Sequence, residues 1–593
     1  MTDRTYMSNL MKKMFKAAFL TSLVSEFTQM IALLIDGIIV CRFFGQDEVA
    51  AVGLANPFFF LVGVPATGLA AGLQTVCSKE MGRGKIENVN YIFSETMIIT
   101  TVSMAILSCV TFLTIPQMAV LFGARGNAAD LLTYTENYLY GLAFEILPFV
   151  LLSLITPIVI LDNGSKIVTI SAVLGCLSNI TLDLFSVKMN KGLFGIGLAS
   201  SLSAAVSLLV LFAHFLKKDH VIRFRFVPFR LHDIKEILLL GAPKAVHALA
   251  NALRSGILNT LVIAVGGSVA MSVLTIQGMI SDLVDIPAMG ISGAVGILAG
   301  ISYGELNGED LKRIGIHAHR YIFSIVGILS ALLLVLSRPV SSFYMDSSDE
   351  GISLLLYVIG CIAVGSVFSA LIYARISYLQ AIEKIRDAQI IETGANLIIL
   401  LAAAMILSVP FGIYGIFAAF PVSKLVMLLI IWLIHVKRTK TLFPSAECYM
   451  ELDDSFHLGV GDIIAYPFGT FKDCQIASEQ VRLFCKGHKL KEKEAYLSSL
   501  CMEEITTNII KYGLPSKRGT AEIRVTIHAN NMIIRVRDNG IAFNISNFAK
   551  LLAAEEPFVN IGMKILCGTA DDISYYRIYG MNTTIIKLSV CKL

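Results

Sequence analysis

Apolar positions dominate the chain from near its start to about residue 440, in long runs separated by short polar segments. A helix needs about 20 mostly apolar residues to cross a bilayer. On that rule the pattern predicts about twelve spans. The predicted spans are 16–40, 53–78, 91–115, 137–161, 167–186, 195–216, 237–264, 270–300, 316–338, 352–381, 388–409 and 413–436. The first run begins like a secretory signal but continues through IALLIDGIIV, so we expect it to be an uncleaved first span.

The segments between the predicted spans differ in their content of basic residues. If the N-terminus lies inside, 22 Lys and Arg residues fall on the inner side and five fall on the outer side. The five are Arg42, Arg125, Lys188, Lys191 and Arg338. Because basic loops are retained on the cytoplasmic side, this asymmetry predicts an even number of spans and cytoplasmic termini. We therefore expect a multi-pass protein of the cytoplasmic (inner) membrane.

Several residues recur at fixed offsets along the chain. Pro65, Gly68, Gly82 and Glu87 recur 222 residues later as Pro287, Gly290, Gly304 and Glu309. Asn179, Phe194 and Gly195 recur 217 residues later as Asn396, Phe411 and Gly412. The membrane part is thus predicted to be two parallel six-helix repeats, residues 1–216 and 237–440, joined by a basic loop at 217–236. Parallel repeats with a site between them are typical of transporters.

The composition supports an integral membrane protein and argues against a soluble or nucleic-acid-binding protein. Of the 593 residues, 55% are hydrophobic and only 16% are charged, whereas soluble domains carry about 25% charged residues. The net charge of +4 is too small to indicate a nucleic-acid partner, and we expect the lipid bilayer to surround most of the chain. Eleven cysteines without a C-x-x-C motif indicate neither a disulfide framework nor a zinc site.

Three segments carry a family resemblance. They are IDGIIVCRFFGQDEVAAVGLANP (35–57), GLAAGLQTVCSKEMGRGK (68–85) and NITLDLFSVKMNKGLFGIGLA (179–199). With these segments and its internal repeat, the chain from about residue 10 to 437 resembles the multidrug and toxic compound extrusion (MATE) transporters. The resemblance implies an all-α, V-shaped bundle of twelve helices. It also implies export of small, often cationic organic compounds, driven by an inward Na+ or H+ gradient.

Ionisable residues within the predicted spans are candidates for ion coupling, because charges in hydrocarbon are costly. Asn179 and Asp183 lie one helical turn apart and so share a face. A carboxylate beside an amide oxygen suits Na+, whereas a desolvated carboxylate can instead carry a proton. In a subgroup of the family, Asp36, Asn179 and Asp183 match positions of a cation-binding region in the first half. Leu258 and Leu400 stand where the two acids would recur, which places coupling in the first half. Alternatively, these acids cap helix ends or pair with a structural arginine.

The second half carries Arg254 and Arg375 within predicted spans. They are candidates for a substrate cavity that accepts an anionic or zwitterionic compound, which would favour the related flippases of lipid-linked saccharides. Alternatively, the two side chains extend to the membrane interface or form a salt bridge to an acid of the first half. Asp282 and Asp285 are possible partners.

The composition changes abruptly after about residue 440. Residues 445–593 are charged and mixed, and they are numerous enough for one domain. Two helical stretches, near 475–487 and 492–512, precede β-like runs. These runs lie at 521–529, 531–539 and 573–591. That order predicts an α+β sandwich with helices on one face of an antiparallel sheet.

Three motifs in this tail resemble the Bergerat-fold (GHKL) ATPases, especially the kinases of the anti-sigma-factor type. The first is CMEEITTNIIKYG (501–513), in which Glu504 and Asn508 lie one turn apart. The resemblance implies that Asn508 holds Mg2+ on the phosphates of ATP, that Glu504 is the general base, and that Lys511 completes the motif. An amide oxygen suits Mg2+, and a nearby carboxylate can accept a proton. Glu503 lies about 100° around the helix, so Glu504 is the preferred base.

The second and third motifs lie further along the tail. In VRDNGIAF (536–543), the resemblance implies that Asp538 binds the adenine amino group and that Gly540 lets the backbone approach the base. In VNIGMKIL (559–566), Gly562 opens a helix whose N-terminus suits phosphate, although the glycine pattern of the family is incomplete here. Thr583 and Thr584 match a position that often contacts phosphate. The three motifs together predict a site for ATP and Mg2+.

These features predict a secondary exporter of small organic substrates that carries an ATP-binding cytosolic tail. No G-x-x-x-x-G-K-[ST] motif occurs, so ATP hydrolysis is not expected to power transport. The tail is expected to sense nucleotide or to act as an ATP-dependent Ser/Thr protein kinase on a cytosolic regulatory partner. The alternative is a flippase for lipid-linked saccharides or anionic substrates, with the tail as a nucleotide sensor.

Overall fold

The computed structural model describes eleven stretches of the chain. They are residues 2–44, 46–122, 129–216, 220–226, 231–344, 351–443, 449–452, 463–514, 521–528, 531–544 and 561–590. Up to residue 439 the regular elements described are helices, and from residue 463 onwards strands and helices are mixed. The chain therefore contains a helical membrane part followed by an α+β tail.

Helices of very different length form the membrane part. The first half contains α1 (Thr2–Phe43), α2 (Gln46–Leu54), α3 (Asn56–Gly82), α4 (Ile86–Leu121), α5 (Ala129–Leu142), α6 (Ile146–Leu161), α7 (Ser165–Lys188) and α8 (Gly192–Phe212). The second half contains α9 (Leu231–Gly304), α10 (Gly308–Tyr321), α11 (Gly327–Val335), α12 (Ser337–Tyr344), α13 (Gly351–Ala381), α14 (Ile385–Thr393) and α15 (Ile399–Thr439). A 3-10 turn (Ala213–Leu216) follows α8, and π-helical turns (Ile322–Val326 and Gly394–Ile398) precede α11 and α15.

Two of the long helices, α9 and α15, are each broken at one glycine. Gly267 in α9 has φ of 66°, and Gly412 in α15 has φ of 57°. Glycine adopts this left-handed backbone at little cost because it has no Cβ. The two breaks fall where the sequence separates one predicted span from the next. Helix α9 contains two predicted spans, whereas α15 contains the span 413–436 and only the second part of the span 388–409, which begins in α14.

Among the described residues, eight helical segments are long and apolar enough to cross a membrane. A ninth is counted if α5 and α6, which are bent by 43° relative to each other, form one span. This confirms a multi-pass helical membrane part. The count of twelve spans and the layout of the two repeats stay predictions.

The two halves meet where α3 packs against α9. Glycines allow the backbones to approach closely there. A Cβ on Gly72 would lie 2.0 Å from the carbonyl oxygen of Ile237, and one on Gly241 would lie 1.9 Å from that of Gly68. Small residues at such crossings allow close helix packing in membranes, where no hydrophobic effect holds helices together.

The tail contains one five-stranded antiparallel sheet and three described helices. The strands are β1 (Ile463–Phe468), β2 (Ala521–His528), β3 (Asn531–Asp538), β4 (Asp572–Ile578) and β5 (Met581–Ser589), in the order β1-β2-β3-β5-β4. The helices are α16 (Phe471–Gly487), α17 (Glu492–Asn508), which continues as a π-helical turn to Gly513, and α18 (Ile561–Thr569). Both predicted helices and the four strands in the predicted runs are present, whereas the sequence reading missed β1.

The sheet has two different faces because successive side chains of a strand point in opposite directions. On the helix face, Ile534, Val536 and Ile586 share a buried cluster with α16 and α17. On the opposite face, which we call the bundle face, Tyr576 and Ile585 join the core of the membrane part. The sheet is therefore covered on one side by its own helices and on the other by the membrane part.

Candidate functional site

The predicted cation-binding residues of the first half lie together. Asp36 comes from α1, while Asn179 and Asp183 come from one face of α7, which packs against α1. The side chain of Asp36 lies beside those of Asn179 and Asp183 and interacts with both. Asn179 is 4% exposed and Asp183 is fully buried. The structure thus brings together all three residues that the sequence singled out.

Glu145 adds a third carboxylate to this group. It occupies the bend between α5 and α6 and interacts electrostatically with Asp36. The sequence shows Glu145 as an acid within a predicted span, but nothing in its spacing relates it to α1 or α7.

Several oxygens of this acidic cluster (Asp36, Glu145, Asn179 and Asp183) have no hydrogen-bond donor among the residues that the structure describes. They are Oδ1 of Asp36, Oε2 of Glu145, Oδ1 of Asn179 and both Oδ atoms of Asp183. Buried acceptors without donors are costly, and a bound proton or a cation with oxygen ligands would satisfy them. Among the described residues, no group of three or more His, Cys, Asp or Glu is arranged to hold a metal ion by itself.

A cavity of about 740 Å³ opens between the halves, mainly on the side of the second. Arg254 and Lys424 line it together with Asp282 and Asp285, and Phe59 reaches it from the first half. Arg254 interacts electrostatically with both aspartates. The cavity wall therefore presents two cationic and two anionic side chains. Asp282 and Asp285, which the sequence offered as possible partners of Arg254, are its neighbours in the structure.

Lys424 is a cavity residue that the sequence reading missed. Its Nζ donates to Oδ1 of Asn396, whose Nδ2 donates to Oε1 of Glu392. Lys424 is 7% exposed and Glu392 is 2% exposed. Asn396 is the predicted repeat counterpart of Asn179. The amide of Asn396 contacts an ammonium group, whereas the amide of Asn179 lies beside carboxylates. A single lysine within a long apolar run shows no periodicity from which its place in the cavity could be predicted.

Arg375 does not lie with Arg254. Its guanidinium donates to the carbonyl oxygen of Tyr449 and to the carboxylate of Glu451. Tyr373 lines the cavity, and Arg375, two residues further on, points about 200° away around α13. Arg375 therefore fixes the segment that leaves the membrane part instead of lining the cavity, which corrects its expected place beside Arg254. Its salt bridge is to Glu451 and not to an acid of the first half.

In the tail, Nδ2 of Asn508 donates to Oε1 of Glu504 at 2.9 Å. This bond leaves the amide oxygen of Asn508 as the group available to a metal. Glu503 instead accepts a hydrogen bond from Ser478 of α16 at 3.3 Å, so its side chain points away from Asn508. Lys511 is exposed, its Nζ lies 5.0 Å from the centre of the Tyr512 ring, and its charge interacts only over a longer range with Glu504.

Asp538 ends β3 in a buried turn beside the end of the α17 segment. Its Oδ1 accepts from the backbone N–H of Gly540 and from Nδ2 of Asn582, both at 2.8 Å. Burial raises the pKa of Asp538, and these donors partly oppose that effect. A Cβ on Gly540 would lie 2.3 Å from the carbonyl oxygen of Gly513, and the backbone N–H of Ile541 donates to the same oxygen at 2.8 Å. Glycine at 540 thus lets the first and second motifs touch.

The two threonines of β5 face opposite sides of the sheet. Thr584 pairs with Val536 and so shares the helix face with Asp538. Thr583 pairs with Arg537, whose side chain contacts the membrane part. Only Thr584 is therefore placed to contact a ligand beside Asp538. Asn582, which the sequence reading missed, holds Asp538 in place.

The third motif is described only in part. Gly562 lies in the first turn of α18 (Ile561–Thr569), while residues 559–560, which precede it in the motif, lie outside the described residues. The residues available for ATP and Mg2+ are thus Glu504, Asn508, Asp538, Gly540 and Thr584, whose amide, carboxylate and hydroxyl groups are of the types that bind a nucleotide with its metal. They come from three elements on one face of the sheet.

A polytopic helical membrane part with buried ionisable groups in each half and a cavity between the halves has the architecture of a secondary transporter. Comparisons with known proteins agree. The family model described as MatE matches residues 22–185. The probable multidrug resistance protein YoeA of Bacillus subtilis (strain 168) is 23% identical over 430 residues, which cover 69% of this chain and 90% of that protein. The probable multidrug resistance protein NorM of Agrobacterium fabrum is 21% identical over 337 residues, which cover 55% of this chain and 71% of that protein.

Solved structures match the same part of the fold. A MATE transporter in complex with MaL6 aligns with a TM-score of 0.67 at 22% identity, covering 73% of this chain and 97% of that one. An outward-facing multidrug resistance MATE family transporter of the MOP superfamily aligns with a TM-score of 0.67 at 23% identity, covering 73% and 96%. The membrane part therefore has the fold of the MATE structures, and residues 22–185 within it match the MatE family model.

Proposed function

We propose that this protein is a secondary active exporter of small organic compounds, driven by antiport of Na+ or H+ across the cytoplasmic membrane. The observation that carries the proposal is the acidic cluster, whose buried oxygens lack donors. The related proteins that bear multidrug resistance names support the substrate class. The tail is proposed to be a cytosolic domain that binds ATP with Mg2+, and its side of the membrane part is proposed to be the cytoplasmic side.

Coupling of ion entry to export would follow from a change of charge within the first half of the protein. A cation or proton that enters the acidic cluster neutralises Asp36 and Asp183, which otherwise repel each other. The neutralised and charged forms then favour different packings of α1 on α7. Because a ligand shifts a conformational equilibrium only through its different affinity for the two states, the ion gradient drives the halves between outward and inward access.

Substitution of Asp183 tests this proposal. Asp183→Asn keeps the size of the side chain but removes the titratable charge, so ion-driven efflux of an organic cation from proteoliposomes should fall at least about tenfold, which corresponds to about 1.4 kcal/mol. Asp387→Asn, at an exposed position of α14, is the matched control and should leave efflux unchanged. If both variants transport like the wild-type protein, the acidic cluster is not the coupling site.

A second candidate function follows from the charges of the cavity. Arg254 and Lys424 face Asp282 and Asp285 across about 740 Å³, an arrangement that complements a zwitterionic or anionic substrate, as expected for a flippase of lipid-linked saccharides. Under this alternative, Lys424→Gln should abolish transport of an anionic probe and leave an organic cation unaffected. Lys437→Gln, at the exposed end of α15, is its control. Loss of cation transport in Lys424→Gln would favour the first candidate instead.

A further inference from the structure

The end of the membrane part that carries the tail is closed by direct contact between its halves. A Cβ on Gly82 of α3 would lie 2.1 Å from the carbonyl oxygen of Ile301, and one on Gly304 of α9 would lie 2.0 Å from that of Lys79. The backbones of the two halves therefore touch. The two halves are also joined by charge, because Nζ of Lys79 donates to Glu236 at 2.8 Å and to Glu383. We call this closed contact the gate.

The bundle face of the tail sheet lies over the gate and bonds to both halves. On the first half, Nη2 of Arg535 donates to the carbonyl oxygen of Gly82 at 3.2 Å, and Oγ of Ser574 donates to that of Gly84 at 2.5 Å. A backbone N–H of the hairpin between β4 and β5, that of Gly580, donates to Oδ1 of Asn163 at 2.8 Å. Contacts of one sheet thus reach two separate loops of the first half.

On the second half the contacts are ionic and buried. Arg537 bonds through Nη1 to Asp310 at 2.7 Å and through Nη2 to Glu305. The hydroxyl group of Tyr576 donates to Glu305 at 2.7 Å. Arg537 is 3% exposed and Tyr576 is fully buried. Charge-assisted hydrogen bonds, such as these from one guanidinium to two carboxylates, are among the strongest in proteins.

The charges at this interface show that the two surfaces complement each other. Burial by itself raises the pKa of Glu305, but the surrounding Arg535 and Arg537 outweigh it and hold that pKa below its ordinary value. Glu522 of β2 also faces this cluster. Burial and the neighbouring Asp310 carboxylate raise the pKa of Glu522 to about 7, against the opposing effect of Arg537. Arg313 also lowers the pKa of Glu522, and Glu305 raises it.

We propose that the tail is a clamp: its sheet holds the gate closed, and the gate opens only when the sheet leaves at least one half. The inference rests on the proposed export by rocking of the two halves. Arg535 and Arg537 stand two residues apart on one strand, so they are separated by only about 7 Å. When Gly82 and Glu305 move apart, a hydrogen-bonded sheet cannot follow both. Opening of the gate therefore breaks one set of bonds, and these bonds stabilise the closed state.

The clamp has a direct link to the candidate nucleotide site. Asp538 follows Arg537 in β3 and points to the opposite face of the sheet. A ligand held on the helix face is thus one residue from the main contact with the second half.

Labelling of a residue inside the gate tests the clamp in the full chain. Ser78 of α3 is fully buried, and a Cβ on Gly300 would lie 2.0 Å from its Oγ. Ser78→Cys therefore places a thiol between the halves, where a maleimide reaches it only when the gate opens. Reaction at that position is followed by peptide mass spectrometry in nanodiscs, so the native cysteines can stay.

Disruption of the clamp should accelerate this labelling. In the Ser78→Cys background, Arg537→Glu should raise the labelling rate at least about tenfold. Arg482→Glu, on the solvent-exposed side of α16, should leave the rate unchanged. Because Arg537→Glu could also unfold the tail, the double variant Glu305→Gln with Asp310→Asn removes the same bonds from the other side and should give the same acceleration.

Hydrogen exchange of residues 82–84 shows in parallel whether the sheet has left. Faster exchange there with unchanged labelling of the thiol at position 78 would overturn the clamp. The labelling requires neither substrate nor an ion gradient, so its outcome is independent of the Asp183→Asn transport test. Failure of ion-coupled export alone leaves the clamp standing.

Discussion

Removing the guanidinium group of Arg537 measures the strength of the contact between the tail and the membrane part. Arg537→Met keeps most of the apolar stem but loses the bonds to Asp310 and Glu305. Glu305 then stays buried with weaker partners, Arg535 at 3.5 Å and the Tyr576 hydroxyl. Breaking a buried ion pair by removing one partner costs about 3–5 kcal/mol. The free energy of undocking should therefore fall by about that amount.

Arg524 provides a matched comparison on the same face of the sheet. Its Nη2 makes one hydrogen bond, at 3.4 Å, to the carbonyl oxygen of Leu306. Loss of one such bond costs about 1 kcal/mol, so Arg524→Met should have a much smaller effect than Arg537→Met.

Hydrogen exchange of the full-length protein in nanodiscs measures both effects. Local opening limits exchange of protected amides, and 1.4 kcal/mol corresponds to about tenfold in rate. Exchange of residues 302–307 should therefore rise at least about a hundredfold in Arg537→Met and about fivefold in Arg524→Met. Equal effects of the two variants, or no effect of Arg537→Met, would refute the ionic attachment.

Two further results are expected. Docking raises the pKa of Glu522 from its ordinary 4.5 to about 7. Between these two pH values, Glu522 is protonated in the docked state and charged in the free state. Docking is therefore favoured as the pH falls and weakens as the pH rises. Exchange of residues 302–307, corrected for intrinsic rates, should be faster at pH 8 than at pH 6, and Glu522→Gln should abolish the difference. Asn508→Ala should weaken Mg-ATP binding to the full-length protein at least about tenfold, as measured by calorimetry. Asn531→Ala, at an exposed position at the far end of β3, should bind Mg-ATP normally. Tight binding of Mg-ATP by Asn508→Ala would show that Asn508 does not hold the metal.

The sequence was most informative where local pattern decides the structure. The run of apolar residues predicted the membrane helices, and Gly267 and Gly412 broke long helices where the predicted spans end. The spacing of Asn179 and Asp183 predicted that the two share a face of α7. β1 was missed because IIAYPF is short and contains a proline, a residue disfavoured within sheets.

Contacts between distant segments could not be predicted from one sequence. Arg535 and Arg537 alternate with apolar residues, a pattern that indicates a strand with a solvated polar face. In the structure their partner Glu305 lies more than two hundred residues earlier. The same limit applies to Lys424, which meets Asn396 across two helical segments, and to Asn582, whose role depends on the neighbouring strand.

Transport by the reconstituted wild-type protein tests the central claim most directly. Proteoliposomes that contain a fluorescent organic cation are given an imposed Na+ or H+ gradient without nucleotide, and movement of the cation against its own gradient is followed. The account predicts that one of the two ion gradients drives this movement and that its collapse stops it. Movement of the cation that is independent of both ion gradients, or that requires ATP, would contradict the account.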